Sequence, residues 1–516
     1  MAKRKTKIPA SKSQYKKPAG TTLKSAEENA HQRPRSPQAW EALGIMQIRN
    51  TRFLDAKISL EKAKELKADE PNTLAWLGYV ETLLGDDVEA EKHLKEALAG
   101  NPQHLQGLVG WGLWYLNKGS SKDALGILEG AEALSADNLE LLDLKGKALI
   151  NEQRYEEALE AYQKILKLRP NNTHAWNAVG NIHRDLGNHQ EMVKSYETAV
   201  EFADDASVPF GNLVSGVHYS PDWSGEKIAD LCRQWQALCG PNHTPERPTP
   251  RSLATDKKLR VGMFSDGFRN HPVGNMIIDA VEQLHSDELE LYLYPTHSES
   301  SHITERFRKV AKKWRPIKHL AYTTFADQVR DDEIDILIDL SGHNTGTRSY
   351  SVALQPAPII VKWVGGLINT SGVEAMDYLL SDSIETPPED QVDQRYVEKL
   401  IRLPDDYIVY HVPTYTPPIT NLPAERNGYI TLGCFNNPTK LNETTLKEWA
   451  QLMHELPESR LFLKNKPYTN TELCERIYNK LESEGIKRER IVIAGPGSHK
   501  KMLEAYGEVD IALDPW

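Results

Sequence analysis

The 516-residue sequence predicts an α + α/β protein in which an N-terminal array of helical repeats precedes two Rossmann-like halves. Two observations predict this fold class. Glycine recurs every 34 residues from Gly44 to Gly180, which indicates a stacked helical repeat. From residue 258 onward, short apolar runs alternate with amphipathic helical segments, a pattern typical of parallel sheets covered by helices. A proline-rich crossover at 413–423 divides this α/β region into two halves.

The first 35 residues contain ten Lys or Arg, two Glu and few apolar side chains. Because such a segment cannot bury a core, we expect 1–35 to be a disordered basic tail that serves mainly as a solubilising leader. The chain as a whole has a net charge of −11, so nucleic acid is not expected as its main ligand. No apolar stretch is long enough for a membrane helix, and the four cysteines lack metal-type spacing. We therefore expect a cytoplasmic protein with reduced thiols.

Five repeat units are predicted within 37–206. Small residues follow the recurring glycines at fixed distances, and large ones such as Leu60 and Tyr162 fill the space between units. Small residues let two antiparallel helices approach closely, and each unit needs its neighbour to bury its apolar face. This pattern resembles the tetratricopeptide repeat, which implies five helix pairs in a right-handed superhelix that binds peptides or proteins. The recurring glycines are Gly44, Gly78, Gly112, Gly146 and Gly180.

The region after the repeats is divided into three segments. Transitional helices and a linker are expected at 207–257, the first Rossmann-like half at 258–412 and the second at 427–516. Ligands in such folds bind beyond the carboxyl ends of the strands, so the loops that follow strands are the candidate site. The predicted strands are Leu259–Phe264, Leu289–Tyr294, Ile334–Leu340, Ile359–Trp363, Tyr378–Ser381, Tyr429–Cys434, Arg460–Lys464, Arg490–Ala494 and Val509–Leu513.

Three of these loops contain the candidate site residues. A loop imidazole titrates near neutrality and can act as a base or orient a substrate. A lysine can stabilise a leaving group that gains negative charge. The candidates are Asp266, Asn270, His271 and Pro272 after the first strand, Gly342 and His343 after the third, and Asn437 and Lys440 after the first strand of the second half.

The motifs around these residues, taken in order, resemble the O-linked N-acetylglucosamine transferase family. They are Ser-Asp followed by Asn-His-Pro-Val-Gly, then Asp-Leu-Ser-Gly-His, Gln-Pro-Ala-Pro-Ile, Thr-Ser-Gly, Met-Asp-Tyr and Cys-Phe-Asn-Asn-Pro with a following Lys. The bacterial and the plant SPINDLY-type members are closer in pattern than the animal enzyme. The resemblance runs from about residue 37 to the last residue. It implies a GT-B-type pair of halves, the first on the acceptor side and the second on the nucleotide-sugar side.

The resemblance also implies an activity. Family members transfer N-acetylglucosamine from UDP-N-acetylglucosamine to Ser or Thr of protein acceptors, with inversion and without a metal, and the UDP-sugar is a co-substrate rather than a cofactor. His271 matches the family's active-site histidine, and His343 is expected to line the same cleft. Lys440 matches the lysine that faces the diphosphate, and Asn437 is expected near the nucleotide. Asp339 is interpreted mainly as a cap of its turn.

Three departures from the family pattern leave alternatives open. Met502 occupies the position of a histidine in the animal enzyme, and the asparagines that line the animal enzyme's repeats are absent here. The sequence stops at Trp516, where family members continue into a Gly- and Thr-rich loop, so we expect an incomplete second half that binds UDP-sugar weakly. One alternative is a repeat-based interaction scaffold with a vestigial or fragmentary transferase region. Another is a related transferase with a different sugar, such as fucose or glucose, or with a glycan acceptor.

Overall fold

A computed structural model describes residues 22–251, 258–284, 287–366 and 369–515. The first 21 residues of the predicted basic tail lie outside this set. The chain divides into two compact units, of which the first ends at Ile182 and the second begins at His183. Among the helices of the described ranges, none has both the length and the apolar character that crossing a membrane requires.

A helix precedes the repeats, so the prediction of disorder for 1–35 was wrong over Leu23–Gln32, which forms α1. Ala26 and Ala30 are buried on this helix and belong to one apolar cluster with Leu43. The helix contributes few apolar atoms of its own. It is ordered because the first repeat offers an apolar surface that two alanines are small enough to approach.

The predicted repeat region is helical throughout and contains five helix pairs, as the glycine spacing predicted. A Cβ at Gly78 would lie 2.5 Å from Leu94 Cγ, and one at Gly44, Gly112 or Gly146 would lie as close to a side chain of the paired helix, so glycine is required at these four contacts. The helices are α2 (Pro37–Arg49), α3 (Phe53–Leu66), α4 (Pro71–Leu84), α5 (Asp87–Gly100), α6 (Leu105–Asn117), α7 (Ser121–Glu132), α8 (Leu139–Asn151), α9 (Tyr155–Leu168), α10 (Thr173–Asp185) and α11 (His189–Phe202).

The boundary between the compact units lies inside α10, earlier than the boundary predicted at residue 206. The reason is that α11 packs closely on the next helix, α12 (Ser207–Val217). A Cβ at Gly216 would lie 2.6 Å from the sulfur of Met192. Two short helices follow, α13 (Gly225–Cys232) and α14 (Trp235–Cys239), and they lie within the predicted transitional segment.

The first α/β half contains a seven-stranded sheet in which every pair of neighbours is parallel. The strand order is β3-β2-β1-β4-β5-β6-β7. The strands are β1 (Leu259–Ser265), β2 (Leu289–Pro295), β3 (Lys313–Trp314), β4 (Ile336–Asp339), β5 (Ile359–Lys362), β6 (Tyr378–Asp382) and β7 (Lys399–Leu403). The helices between them are α15 (Pro272–Glu282), α16 (His302–Val310), α17 (Tyr322–Asp331) and α18 (Ser349–Ala353).

The second half contains a four-stranded parallel sheet with the order β10-β9-β8-β11. Its apolar core includes Leu432, Leu461 and Trp449. The strands are β8 (Thr431–Cys434), β9 (Arg460–Lys464), β10 (Ile491–Ala494) and β11 (Ile511–Ala512), and the helices are α19 (Pro423–Asn427), α20 (Glu443–Glu455), α21 (Thr471–Ser483) and α22 (His499–Ala505).

In each sheet the strands are first added on one side of the first strand and then on its other side, so the direction in which the sheet grows reverses at that strand. In the first sheet the chain builds outward from β1 through β2 to β3 and then returns to the other side of β1 with β4. In the second sheet β8 and β11 have the same relation. Ligands of such sheets bind in the crevice at this switch point, beyond the carboxyl ends of the strands. The candidate site is therefore sought in the loops after β1, β4, β8 and β11.

Candidate active site

His271 lies at the switch point of the first sheet, as the residue that caps the N-terminus of α15. Its Nδ1 accepts a hydrogen bond of 3.3 Å from the backbone N–H of Val273. The preceding loop folds closely over the start of the helix, since a Cβ at Gly274 would lie 2.4 Å from the carbonyl oxygens of Gly267 and Arg269. The half-buried imidazole is thus held by backbone geometry.

The hydrogen bond to Nδ1 determines the chemistry that His271 can perform. A neutral imidazole that accepts at Nδ1 carries its proton on Nε2, so Nε2 is a hydrogen-bond donor in this arrangement. Burial lowers the pKa of His271 and the nearby Arg269 guanidinium lowers it further, while Asp266 and Glu299 act in the opposite direction. The ring is therefore expected to be neutral at physiological pH and to donate a hydrogen bond to an oxygen of a ligand.

His271 faces a cleft of about 330 Å³. The cleft is bordered by the loops after β1 and β4 and by the ends of α10 and α12, all of which lie in the second compact unit. The residues that line it are Arg184, Asn212, Ser215, Ser265, Asp266, Gly267, Arg269, His271, Val273, Leu340, Ser341, Asn344, Thr345 and Gly365.

Asp266 lies in this cleft with its carboxylate paired to Arg269, whose Nη2 donates at 2.7 Å. A second nitrogen of Arg269 donates to Glu299 at 3.0 Å. Asn270 and Pro272, the other candidates of this loop, are exposed and do not line the cleft. The backbone N–H of Asn270 donates to the hydroxyl of Ser301, and Pro272 is the first residue of α15.

The loop after β4 is shaped by Asp339, which caps the turn as predicted. Its Oδ1 accepts hydrogen bonds from the backbone N–H groups of Ser341 and Gly342, at 2.7 and 2.9 Å. Gly342 has a φ of +56°, a conformation that favours glycine. Ser341 is buried in the cleft wall, and its hydroxyl has no hydrogen-bond partner among the described residues. A ligand or a water molecule in the cleft could supply that partner.

His343 does not line the cleft of His271, contrary to the prediction. It borders an adjoining cavity of about 20 Å³ that shares Ser215 and Asn344 with the cleft, and its Nε2 donates to the carbonyl oxygen of Ser371 at 2.6 Å. The imidazole also lies near the aromatic rings of Phe210 and Trp235. Burial lowers its pKa, so the ring is neutral and joins the loop after β4 to neighbouring segments. The Ser-Gly-His motif alone could not distinguish these two orientations.

Lys440 lies at the switch point of the second sheet, in a short 3₁₀ turn after β8. Its Nζ is 3.5 Å from the carboxylate of Asp514, which follows β11. The amide of Asn436 donates to the same carboxylate at 2.6 Å. Asn437 uses its side-chain oxygen to accept from the backbone N–H and the hydroxyl of Thr439, so this oxygen is engaged in forming the turn.

The candidates form two groups. Asp266 and His271 share the cleft of the first half, and Lys440 and Asn437 share the loop after β8 in the second half. No hydrogen bond or ion pair within the described parts of the chain joins the two groups. The sequence interpretation missed Arg184, Ser341 and Arg269 as residues of the cleft. Arg269 could have been found from its place in the Ser-Asp to His-Pro loop, whereas Arg184 comes from the repeat region and gave no local signal.

Parts of this architecture are similar to known protein families. Residues 144–207 match the tetratricopeptide repeat profile. Residues 224–417, which contain β1 to β7 and the His271 cleft loops, match the profile of glycosyl transferase family 41. This segment is similar to glycosyl transferase family 41. The family 41 segment and the repeats thus occur in the order that the sequence predicted.

The relatives support the same assignment. Probable UDP-N-acetylglucosamine–peptide N-acetylglucosaminyltransferases named SPINDLY, from Hordeum vulgare and Arabidopsis thaliana, are 30% identical over 59% of this chain. The chain spans about a third of the length of these relatives, 32% and 33% respectively. A solved structure of a mutant O-GlcNAc transferase from Thermobaculum terrenum has a TM-score of 0.71 and 28% identity. That match covers 80% of this chain and 78% of the bacterial chain.

Proposed function

We propose that the protein is a protein O-glycosyltransferase that transfers N-acetylglucosamine from UDP-N-acetylglucosamine to Ser or Thr hydroxyls. The observation that carries the proposal is that both sheets place polar side chains at their switch points, in a chain whose residues 224–417 match the profile of glycosyl transferase family 41. The names of the plant and bacterial relatives support the donor and the acceptor. The repeats would recruit the acceptor proteins. A cytoplasmic location is part of the proposal, and the four free thiols fit a reducing compartment.

In the proposed reaction the acceptor oxygen attacks the anomeric carbon as the bond to the diphosphate breaks, so a single displacement inverts that carbon. The acceptor proton is transferred to a base, and the electron pair of the broken bond leaves with UDP. The Lys440 ammonium would stabilise the negative charge that develops on the diphosphate, which makes a metal ion unnecessary for that step. Asn437 would contribute its amide N–H₂ to the nucleotide, because its oxygen is engaged in the turn.

His271 is assigned an orienting role in this proposal. With Nδ1 accepting from Val273, its Nε2–H would donate to an oxygen of the sugar or of the acceptor. Acting as the base would require the ring to give up that hydrogen bond and change tautomer. Ser341 and Arg184, which face the same cleft, are assigned to the acceptor side. His343 is assigned a structural role through Ser371.

A second candidate is a related transferase with another acceptor. The repeat face favours it at one point: the helix positions where the animal enzyme has asparagines include Trp76 and Tyr79. The Tyr79 hydroxyl forms a hydrogen bond with Glu140 of α8, a partly buried carboxyl whose pKa is raised by burial. A tyrosine whose hydroxyl is hydrogen-bonded to a glutamate cannot hydrogen-bond a peptide backbone as an asparagine amide does. This observation concerns the choice of acceptor and does not alter the proposed sugar donor.

The direct test is a transfer assay on the full chain. UDP-N-acetylglucosamine, UDP-glucose and GDP-fucose would each be incubated with a pool of protein acceptors, and sugar attachment would be mapped by mass spectrometry. Because donor binding is expected to be weak, the assay uses a high donor concentration, at which attachment of N-acetylglucosamine to Ser or Thr is the expected result. A Lys440→Ala chain serves as the negative control. Attachment from a different donor would favour the second kind of transferase. Binding of proteins without transfer from any donor would favour a repeat-based scaffold.

A further inference from the structure

Lys362, the last residue of β5, has a buried side chain and an unusual set of partners. Its ammonium group donates hydrogen bonds to the carbonyl oxygens of Val364 and Gly365. No carboxylate of the described residues lies within ion-pair distance of its Nζ. Burial lowers the pKa of Lys362, and the carboxylates of Asp339 and Glu398 act in the opposite direction. A buried Nζ group must find acceptors for its hydrogens, and here the two backbone carbonyls provide them.

The two carbonyls belong to a loop with a strained backbone. Val364, Gly365 and Gly366 have φ values of +38°, +61° and +102°. A β-branched residue such as Val364 rarely adopts a positive φ, so the surrounding contacts must hold it there. A Cβ on Gly365 would lie 1.7 Å from the carbonyl oxygen of Leu340, which shows how closely this loop approaches the loop after β4.

This close approach forms part of the candidate active site. Leu340, Ser341 and Gly365 all line the His271 cleft, whereas Lys362 does not line it and borders the cavity of His343 instead. The ammonium therefore acts on the cleft through the backbone it holds. We propose that Lys362 is a positioning residue that holds the Val364–Gly366 loop against the loop after β4 and so fixes the cleft wall that carries Ser341.

The proposal makes a prediction that does not depend on catalysis. The backbone N–H groups of Ser341 and Gly342 donate to Asp339, and that of Trp363 donates to the carbonyl of Asp339. If Lys362 holds the two loops together, removing its ammonium should increase the opening of these hydrogen bonds. Lys362→Met keeps the length of the side chain and removes its donors, and Lys399→Met on β7 of the same sheet removes an exposed lysine as the matched control.

Hydrogen–deuterium exchange of the full chain, read on peptides covering 339–344 and 361–366, is the first measurement. Exchange in both peptides should be about tenfold faster or more in Lys362→Met, because two charge-assisted hydrogen bonds are lost. Lys399→Met should exchange like the parent chain. Lys362→Gln, which retains donor N–H groups, should lie between the two. Unchanged exchange in Lys362→Met would overturn the proposal.

The second measurement rests on the proposed function, since it uses transfer from UDP-N-acetylglucosamine. Lys362→Met should lower turnover by about tenfold or more while the affinity for UDP changes little. The reason is that the proposed diphosphate ligand, Lys440, lies in the second half and not in the cleft wall that Lys362 holds. If the parent chain transfers no sugar, the proposed function fails while the exchange experiment still tests the loop. If neither Lys362 variant folds, the side chain supports the whole half, and the positioning proposal is overturned.

Discussion

The ammonium of Lys440 lies 3.5 Å from the carboxylate of Asp514, across the switch point of the second sheet. The Asp514 side chain is 80% exposed and the Lys440 side chain only 25%, so the lysine is the more constrained partner. A diphosphate that binds Lys440 would compete with this carboxylate for the same positive charge. A donor that binds Lys440 through its diphosphate must therefore displace the Asp514 carboxylate.

Replacing Asp514 by Asn should strengthen UDP binding. The substitution removes a competing negative charge, and exposed ion pairs contribute about 0.2–1 kcal/mol, so the gain should be up to about fivefold. Isothermal titration with UDP at low and high salt measures the effect, which should shrink as salt increases. An unchanged affinity at low salt would mean that the diphosphate does not meet Lys440.

Replacing Lys440 by Ala should abolish transfer without unfolding the second half. One positioned charge on a developing anion contributes about 3 kcal/mol to the barrier, which corresponds to a loss of about 100-fold or more. Lys447→Ala, an exposed lysine on α20, is the control and should retain full turnover. Turnover of Lys440→Ala close to that of the parent chain at saturating donor would identify Lys440 as an ordinary surface lysine.

Replacing His271 by Ala should lower turnover more than it lowers donor affinity. The reason is that its cleft belongs to the first half, whereas the proposed diphosphate ligand, Lys440, lies in the second. Steady-state kinetics and UDP titration on the same preparation separate the two quantities. His218→Ala is unsuitable as a control because His218 borders the cavity of His343, whereas the exposed His302 at the start of α16 can be replaced without touching either cavity. A collapse of UDP affinity with surviving turnover of bound donor would contradict the assigned role.

The pH dependence of transfer should respond in opposite directions to two charge changes beside His271. Arg269 lowers the pKa of the imidazole and Asp266 raises it. Arg269→Met should therefore move the acid limb of kcat/KM to higher pH, and Asp266→Asn should move it to lower pH. Profiles between about pH 5 and pH 8 would reveal both shifts. Shifts in the same direction, or none, would show that the imidazole does not govern that limb.

The close helix contacts of the repeats can be tested through stability. Gly78→Val should reduce the free energy of unfolding of the repeats by about 1–3 kcal/mol, because the added atoms would overlap Leu94 and the carbonyl of Ala90. Gly126 on α7 faces open space, so Gly126→Ala should raise it by up to about 1 kcal/mol through helix propensity. Denaturant titration followed by far-ultraviolet circular dichroism compares the two variants with the parent chain.

Much of the fold could be predicted from the 34-residue spacing of the repeats and from the alternation of apolar runs with helical segments, because the packing geometry imposes both patterns. The 34-residue spacing follows from one glycine at each close helix contact, and the apolar runs of β1, β2 and β9 follow from strands covered on both faces. Strand β3 was missed because only Lys313 and Trp314 pair with β2. Strand β7 was missed because Lys399–Leu403 reads as a polar, partly exposed edge strand.

The candidate site could be predicted only in part, because local motifs specify position along the chain and leave side-chain direction open. His271 was found through its loop and the following proline. His343 was placed in the same cleft only because its loop follows a buried strand, and its ring donates to the carbonyl of Ser371, 28 residues further along the chain. Arg184 reaches the cleft from a repeat helix, and no motif near Arg184 in the sequence indicates a contact with the loops of the sheet.

The shared strand order of the two sheets has a consequence for how such a protein can diversify. The pairs β1–β4 and β8–β11 precede the polar loops, while the edge strands β3 and β7 of the first sheet and β10 of the second lie away from these pairs. Insertions and substitutions at those outer edges should be tolerated by natural selection, since they change no loop of the crevice. New donor preferences should instead arise mainly from changes in the loops that follow β1, β4, β8 and β11, while acceptor preferences can also change through the residues of α10 and α12 that line the cleft. The remainder of both sheets can then accumulate substitutions without changing the site.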